Sequence, residues 1–382
     1  MNICEKHVAE PSIKCYIQSL GSNKDCSICG CSDKCVDTGS PEFHELLKAI
    51  LRYNYDEVQY NSHFGGGSST EFMLAEGFIF NKEMFASLSD EQLMELDNDI
   101  YNIPVYDGIN IYAGYTDGQQ NMLLTSIQNS RHKFFDTLSN NLATKNYHDF
   151  EEQVRSIISS FGNSFAKIVE GSSIVYRARI GVDGIRIALE PFNKNGKKFY
   201  VPFEGQKIGP VPPLKATNGR ANRTGVSYLY CATDEYTAVA EIRPHPTDVV
   251  SVAQFSISRA LKIFDFSQPN FLDFYESDDA LDSMIPFAKM AEFYNSATSP
   301  SLEGRYLVTQ LISECIRMEG YDGIKFKSTV GSGVNLVIFK GGDASYVSST
   351  TKVYEINEVK YSYIEKPIVG KDDEGETYLD EI

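Results

Sequence analysis

The chain has 382 residues, a formal net charge of −17, 12% aromatic residues and no tryptophan. That length predicts two or three domains, and the composition is that of a folded protein. The negative charge opposes nonspecific binding to nucleic acid and to anionic membrane surfaces, and no stretch has the length and purity of a membrane span.

Residues 1–40 are short on core formers and rich in Cys, Ser, Asp and Gly. The opening run, Met1 to Pro11, lacks the apolar core of a signal peptide, so a cytoplasmic location is expected. Six of the eight cysteines precede residue 36. Without an export signal that clustering favours metal over disulfides. Cys4 and His7 form one close pair, and Cys26 and Cys29, followed by Gly30, form another. Two such pairs separated by about twenty residues match a zinc ribbon, in which each pair wraps a tetrahedral ion. Structural zinc on Cys4, His7, Cys26 and Cys29 is therefore expected, with free thiols as the alternative. Cys31 and Cys35 are competing ligands, and Cys15 reads as a packing thiol. Four protein ligands leave no open position, which argues against a catalytic zinc.

Residues 41–170 read as a helical domain. Pro41 suits a helix's first turn, and Phe43, Leu46, Leu47, Ile50 and Leu51 follow at helical spacing. The glycine run from His63 to Ser69 lacks the Lys-Ser/Thr of a phosphate loop and reads as a flexible loop. Thr70 and Glu71 precede another apolar run, Leu88 to Leu96 reads as a short helix, and 102–122 as loop or turn. Phe134, Phe135, Leu138 and Leu142 line one later helix face; Phe150, Val154, Ile157, Ile158, Phe161, Phe165 and Ile168 line another.

The composition changes near Glu170. Ile174 to Ile180 reads as a strand with Tyr176 and Ala178 on one side and Arg177 and Arg179 on the other. Residues 181–218 read as loop-rich. Then Gly219 to Pro246 packs several signals together. Gly219, Arg220, Asn222, Arg223 and Gly225 form a polar loop, Tyr228 to Cys231 a short strand, and Thr233 to Glu235 a helix start. That helix carries Glu241 among small apolar residues and stops at Pro244 and Pro246. On these residues alone Glu241 either pairs with an arginine such as Arg243 or serves an active site. Strands follow at 249–257 and 261–266, then a helix from Arg305 to Glu319 capped by Gly320, and strands at 321–328 and 334–339. Lys371 to Ile382, with six acids against one lysine, reads as a solvated tail. Short strands with few helices and no βαβ rhythm make 171–365 an α+β domain.

Three segments together resemble the RES family: Tyr176-Arg177-Ala178-Arg179, Gly219 through Glu241, and Tyr321 through Ser328. The resemblance covers most of residues 171–345. The family is named for an arginine, a glutamate and a serine that converge in space, and the matching positions are Arg177, Glu241 and Ser328. The upstream cysteines and helices resemble the HEPN-like N-terminal domain fused to some RES domains, although His7 stands where that domain usually carries a second cysteine. HEPN ribonucleases place a His four to six residues after an Arg, and Arg52, Arg131 and Arg155 lack one. The implied layout is a zinc-ribbon-like element at 1–40, a helical HEPN-like domain at 41–170, a RES domain at 171–365 resembling the ADP-ribosyltransferase fold, and an acidic tail at 366–382.

The resemblance implies an enzyme that degrades NAD, with many family members acting as toxins held by an antitoxin. Cleaving the nicotinamide–ribose bond builds positive charge on the ribose, which a carboxylate such as Glu241 can stabilise. Arg177, with Arg179 or Arg220, suits the pyrophosphate. Asn222 belongs to the same phosphate-side loop, and Ser328 can donate to a phosphate or ribose oxygen. Tyr228 and Tyr230 offer faces for nicotinamide. The expected activity is an NAD glycohydrolase or phosphorylase acting as a toxin or defence effector. The alternatives are ADP-ribose transfer to a protein or nucleic acid, and a zinc-dependent binding module with an inactive RES domain. The expected partners are NAD and an antitoxin or regulatory protein, with no membrane; nucleic acid is disfavoured and a homo-oligomer stays open. The N-terminal half is expected to be regulatory, so that removing residues 1–165 would raise toxicity.

Overall fold

The computed structural model describes residues 1–67, 77–106, 108–115, 123–190, 193–296, 303–360, 362–365, 368–371 and 377–380. The chain begins with β1 (Asn2–Cys4), α1 (Pro11–Leu20), β2 (Ser22–Asp25) and β3 (Ser32–Asp37), the strands forming an antiparallel sheet ordered β1-β3-β2. The helix between the two ligand pairs was not foreseen. Pro11 opens it, Glu10 caps it by accepting the Ile13 N–H at 2.9 Å, and Ile13 and Ile17 are fully buried.

Next come α2 (Pro41–Asn54), α3 (Glu57–Tyr60), α4 (Lys82–Ser87) and α5 (Asp90–Tyr101). In α2 the expected apolar positions from Phe43 to Leu51 are buried. A capping box starts α5: Gln92 N–H donates to Ser89 Oγ at 3.2 Å, and Ser89 N–H to Gln92 Oε1 at 2.9 Å. β4 (Pro104–Tyr106) and β5 (Ile109–Asn110) form a small hairpin within the segment expected to be loop or turn. Thr70, Glu71 and the end of the glycine run lie outside the described residues. No helix among the described residues is long and apolar enough to cross a membrane.

The remaining elements are α6 (Lys133–Leu142), α7 (Glu151–Ser160), β6 (Ala166–Val169), β7 (Ile174–Ile180), β8 (Gly184–Glu190), β9 (Asn193–Val201), β10 (Leu229–Ala232), α8 (Glu235–Glu241), β11 (Val249–Ile257), β12 (Leu261–Asp265), α9 (Asp278–Asp282), α10 (Ile285–Asn295), α11 (Glu303–Met318), β13 (Gly323–Lys327), β14 (Val334–Ile338), β15 (Ala344–Tyr346), β16 (Lys352–Glu355), β17 (Ile368–Lys371) and β18 (Thr377–Asp380). A mixed nine-stranded sheet runs β15-β11-β7-β10-β14-β13-β12-β6, with β16 also on β11. Its one parallel pair is β12 with β13, bridged by the crossover through α9, α10 and α11. Two segments depart from expectation. Residues 184–190 and 193–201 pair as strands β8 and β9 rather than lying in loop, because Ile185 and Ile187 alternate with Arg186 and Gly196, at φ 64°, lets the partner strand pass close to Ile187. In the acidic tail β17 and β18 pair with each other.

One hydrophobic cluster runs from Met1 and Ile3, through α2 and α6, to Val337 and Phe339. Both halves of the chain thus bury apolar surface in a common core. The expected boundary at residue 170 is not a break in packing. Ile168, expected on a helix face, lies instead in β6, a strand of the large sheet that pairs it with Lys262; α6 and α7 pack on α11, and Arg155 and Ser159 both reach Glu319 at 2.7 Å.

Candidate active site

Glu241 is the last residue of α8, and the sequence around it fixes where that helix lies. Asp234 caps α8 by accepting the Thr237 N–H at 2.7 Å. Thr237 Oγ1 accepts the Gly333 N–H at 2.9 Å, and Thr233 Oγ1 accepts the Val334 N–H at 3.1 Å. The start of α8 is thereby stitched to the turn before β14. A Cβ at Gly333 would run into Asp234, Thr237 and Thr233, so glycine is what lets the two segments meet. The helix's apolar side, Ala238, Val239 and Ile242, packs on Tyr176 and Ala178 of β7 and on Val250 and Val252 of β11.

This packing brings Glu241 to the end of β13 and the start of β14. Ser328 Oγ donates to Glu241 Oε1 at 2.6 Å, and Asn335 Nδ2 donates to the same oxygen at 2.7 Å. Ser328 Oγ also accepts the N–H groups of Val330 (3.2 Å) and Gly331 (2.9 Å). Its rotor is thus set so that its single proton goes to the carboxylate. Glu241 Oε2 has no hydrogen-bond partner among the described residues. No ion pair joins Glu241 to Arg243 among them either. The result is a half-buried carboxylate with one oxygen locked and the other free to meet a cation or a hydroxyl.

Asn335 was not picked out from the sequence. The available signal was an asparagine inside the apolar strand Val334–Ile338, 6% exposed and aligned with Ala232 on the side facing α8. A buried amide in such a strand needs a partner, and Glu241 supplies it.

Arg177 does not touch this cluster. The pleat of β7 turns it away from the Tyr176–Ala178 side, onto the face that holds Val175, Cys231 and Ile208. Its Nε donates to Ile208 O at 2.8 Å and its Nη1 to Tyr230 O at 2.7 Å. No carboxylate pairs with it among the described residues, and burial lowers its guanidinium from the ordinary value. Cys231, alongside, is pushed up to about 12 by burial. A largely buried cation held only by carbonyls keeps one nitrogen for an anion.

The other expected contacts are placed differently. Arg179 is exposed, donates to Lys207 O, and lies over the Phe203 ring, 5.0 Å from its centroid. Arg220 turns inward, donating to Tyr294 O and lying 5.4 Å from the Phe326 ring. Asn222 is buried and spends its amide on Thr217 O, Arg223 O and Val226 O, while its Oδ1 accepts from Tyr230 OH at 2.6 Å. Tyr228 packs against Phe339 in the core, where burial pushes its hydroxyl up to about 12. The contacts that Arg220, Asn222, Tyr228 and Tyr230 make are thus with the chain itself; they hold the 217–226 loop against β10 and α11. Gln310 completes this, donating to Gly219 O at 2.9 Å and Asn222 O at 3.0 Å.

At the other end of the chain, one ligand atom each from Cys4, His7, Cys26 and Cys29 lie within 4.8 Å of one another. Gly30, at φ 67°, closes the second knuckle, its N–H donating to Cys26 O at 2.9 Å. His7 Nε2 is buried without a hydrogen-bond partner, which is how a ligand nitrogen stands before a metal satisfies it. The Cys4 and Cys29 sulfurs are 3.8 Å apart. Two thiolates about 2.3 Å from one tetrahedral zinc are separated by about that distance, so the donor set fits zinc. Cys31 Sγ is also near, 3.1 Å from Cys29 and 3.7 Å from Cys4.

Residues 189–357 match the RES domain family. The matched span contains Glu241, Ser328 and Asn335 and begins after Arg177. Curated proteins include no match to the chain. A solved structure, the crystal structure of the M. tuberculosis MbcT–MbcA toxin–antitoxin complex, aligns at 11% identity and a TM-score of 0.30, covering 53% of this chain and 92% of that one.

Proposed function

We propose that this protein breaks the bond between nicotinamide and ribose in NAD, as a glycohydrolase or phosphorylase, and that it acts as a toxin or defence effector. The observation that carries the reading is the Glu241 carboxylate, with Oε1 held by Ser328 and Asn335 and Oε2 open, inside a span matching the RES domain. As nicotinamide departs, it takes the bonding electron pair and leaves neutral. The ribose ring becomes oxocarbenium-like, and the open Oε2 stabilises that charge or holds a ribose hydroxyl. Water or phosphate then adds to the anomeric carbon and loses a proton. Ser328 and Asn335 are positioning residues; neither needs to touch the ring.

Arg177 is the proposed phosphate contact, since its buried guanidinium has no carboxylate partner among the described residues. Arg179 is a second, exposed cation on the same strand. Zinc on Cys4, His7, Cys26 and Cys29 would be structural, holding β1 to the loop before β3. A regulatory protein such as an antitoxin is the proposed partner.

Purified protein incubated with NAD, with and without phosphate, should release nicotinamide. Glu241→Gln should lose that release while keeping its circular dichroism spectrum and melting temperature. No release from the unsubstituted chain under either condition, with a protein acceptor also supplied, would sink the reading; label passing from NAD to the acceptor would favour transfer instead.

A further inference from the structure

We propose that the β8–β9 arm is a docking surface for a partner protein that adds an acidic strand, apolar at alternate positions, to the arm's edge. β8 and β9 pair only with each other, so within the described residues each keeps an unpaired outer edge. The register sets Ile185 opposite Tyr200 and Ile187 opposite Lys198 on one face, and Arg186 opposite Phe199 and Ala188 opposite Lys197 on the other. Ile185, Ile187 and Phe199 are 53%, 59% and 50% exposed. Ile185 and Ile187 thus form an exposed apolar pair on one face of a separate hairpin, with Phe199 on the other, which marks an interaction surface rather than scattered surface residues.

Charge selects the occupant. Arg186, Lys197 and Lys198 are exposed and form no ion pair among the described residues, and the Lys197 ammonium lies 5.6 Å from the Phe199 ring. These cations sit on a chain of net charge −17. They repel the arm of a second copy, which guards the open edges against self-pairing. An acidic strand neutralises them while its alternate apolar residues cover the two isoleucines. Nucleic acid fits less well, because isoleucine offers phosphate nothing and the chain's overall charge repels a polyanion. This inference does not depend on the reaction proposed for Glu241.

The test uses the full chain and a labelled ten-residue peptide of alternating valine and glutamate, followed by fluorescence anisotropy at about 50 and 300 mM salt. A valine–lysine peptide and an oligothymidine strand serve as controls. The glutamate peptide should bind, more weakly at the higher salt, and the lysine peptide should not. Lys197→Glu with Lys198→Glu should weaken the glutamate peptide at least about tenfold and admit the lysine peptide. Ile185→Ser with Ile187→Ser should weaken it by a similar factor, and both variants should melt like the parent. The proposal is overturned by no binding of the glutamate peptide, equal binding of both peptides, tighter binding of oligothymidine, or undiminished affinity in both variants. A dimer of the free chain that the arm variants abolish would assign the arm to self-association. Far stronger competition by a peptide of residues 366–382 than by the glutamate peptide would assign it to the chain's own terminus.

Discussion

Ser328 and Asn335 share one oxygen of the Glu241 carboxylate, Arg177 stands apart from it, and each of the three has a distinct expected effect. Ser328→Ala removes a 2.6 Å donor to Glu241 and the acceptor that holds the Val330 and Gly331 N–H groups. It should lower kcat for nicotinamide release by roughly tenfold to a hundredfold and cost about 1–2 kcal/mol in chemical denaturation. Asn335→Leu keeps the branched shape but leaves Oε1 with Ser328 alone, so kcat should fall while KM for NAD stays nearly constant. Arg177→Lys should show the opposite split, a raised KM with kcat largely retained, if its guanidinium meets the pyrophosphate. Steady-state kinetics on the three variants separates these roles; a kcat defect alone in the Arg177 variant would remove it from phosphate binding. Glu241 and Ser328 were singled out in the sequence by its resemblance to the RES family, and the fold brings them within 2.6 Å of each other. Asn335 was not, since its role exists only once β14 aligns it beside Ala232. Arg220, Asn222 and the tyrosines stand in a suggestive polar loop, yet sequence order cannot tell a loop that holds substrate from one that holds itself to a helix.

At the level of elements, the helix α11 and the turn after it are fastened by carboxylates. Glu319 is drawn below the usual range by hydrogen bonds from Ser159 and Arg155, and Asp322 is drawn down chiefly by its bond to Arg259. Each native form therefore binds protons less readily than the unfolded chain. Their stabilisation is present above the ordinary carboxylate range, near pH 4, and is lost as pH falls through the depressed native values. Equilibrium unfolding between about pH 2 and 5 should show a shallower acid limb for Glu319→Gln and for Asp322→Asn than for the parent. The helices α2, α7 and α11 were readable from apolar spacing and caps. The β8–β9 hairpin was missed because proline, glycine and lysine are frequent in the segment, while its strand signals, the Ile185–Ile187 alternation and Phe199-Tyr200-Val201, are short. Helix α1 was missed because the surrounding cysteines pointed to knuckles, although Pro11, Ile13 and Ile17 are spaced as a capped amphipathic turn.

For the molecule as a whole, the shared core from Met1 to Phe339 bears directly on the expectation of a separable regulatory half. Arg52 of α2 is buried and reaches Asp282 at 2.9 Å, and Tyr53 packs edge-on to Phe271 at 5.2 Å between ring centres. Removing residues 1–165 would strip this surface and the helices α6 and α7 from α11. Calorimetry of the full chain should show one cooperative transition, and the 166–382 fragment should lack a folded near-ultraviolet spectrum; two independent transitions would restore separability. The metal prediction belongs at this scale too. Metal analysis should give about one zinc per chain, and a strong chelator should lower the melting temperature by several degrees, as should Cys26→Ser. Nicotinamide release measured below the new midpoint should persist, because the cysteine cluster shares no residue with the Glu241 site.

The position of β14 in the sheet governs when the Glu241 cluster can assemble during synthesis. Strand β14 is inserted between β10 and β13, and it carries Asn335 on a segment that emerges 94 residues after Glu241. Until it leaves the ribosome, β10 and β13 cannot be joined, α8 lacks its anchor at Gly333 and Val334, and Glu241 has no fixed direction. Domains emerge and fold from the N-terminus. A nascent chain bearing Glu241 therefore has no assembled Glu241–Ser328–Asn335 cluster until β13 and β14 have been made, so the site appears only once those two strands arrive.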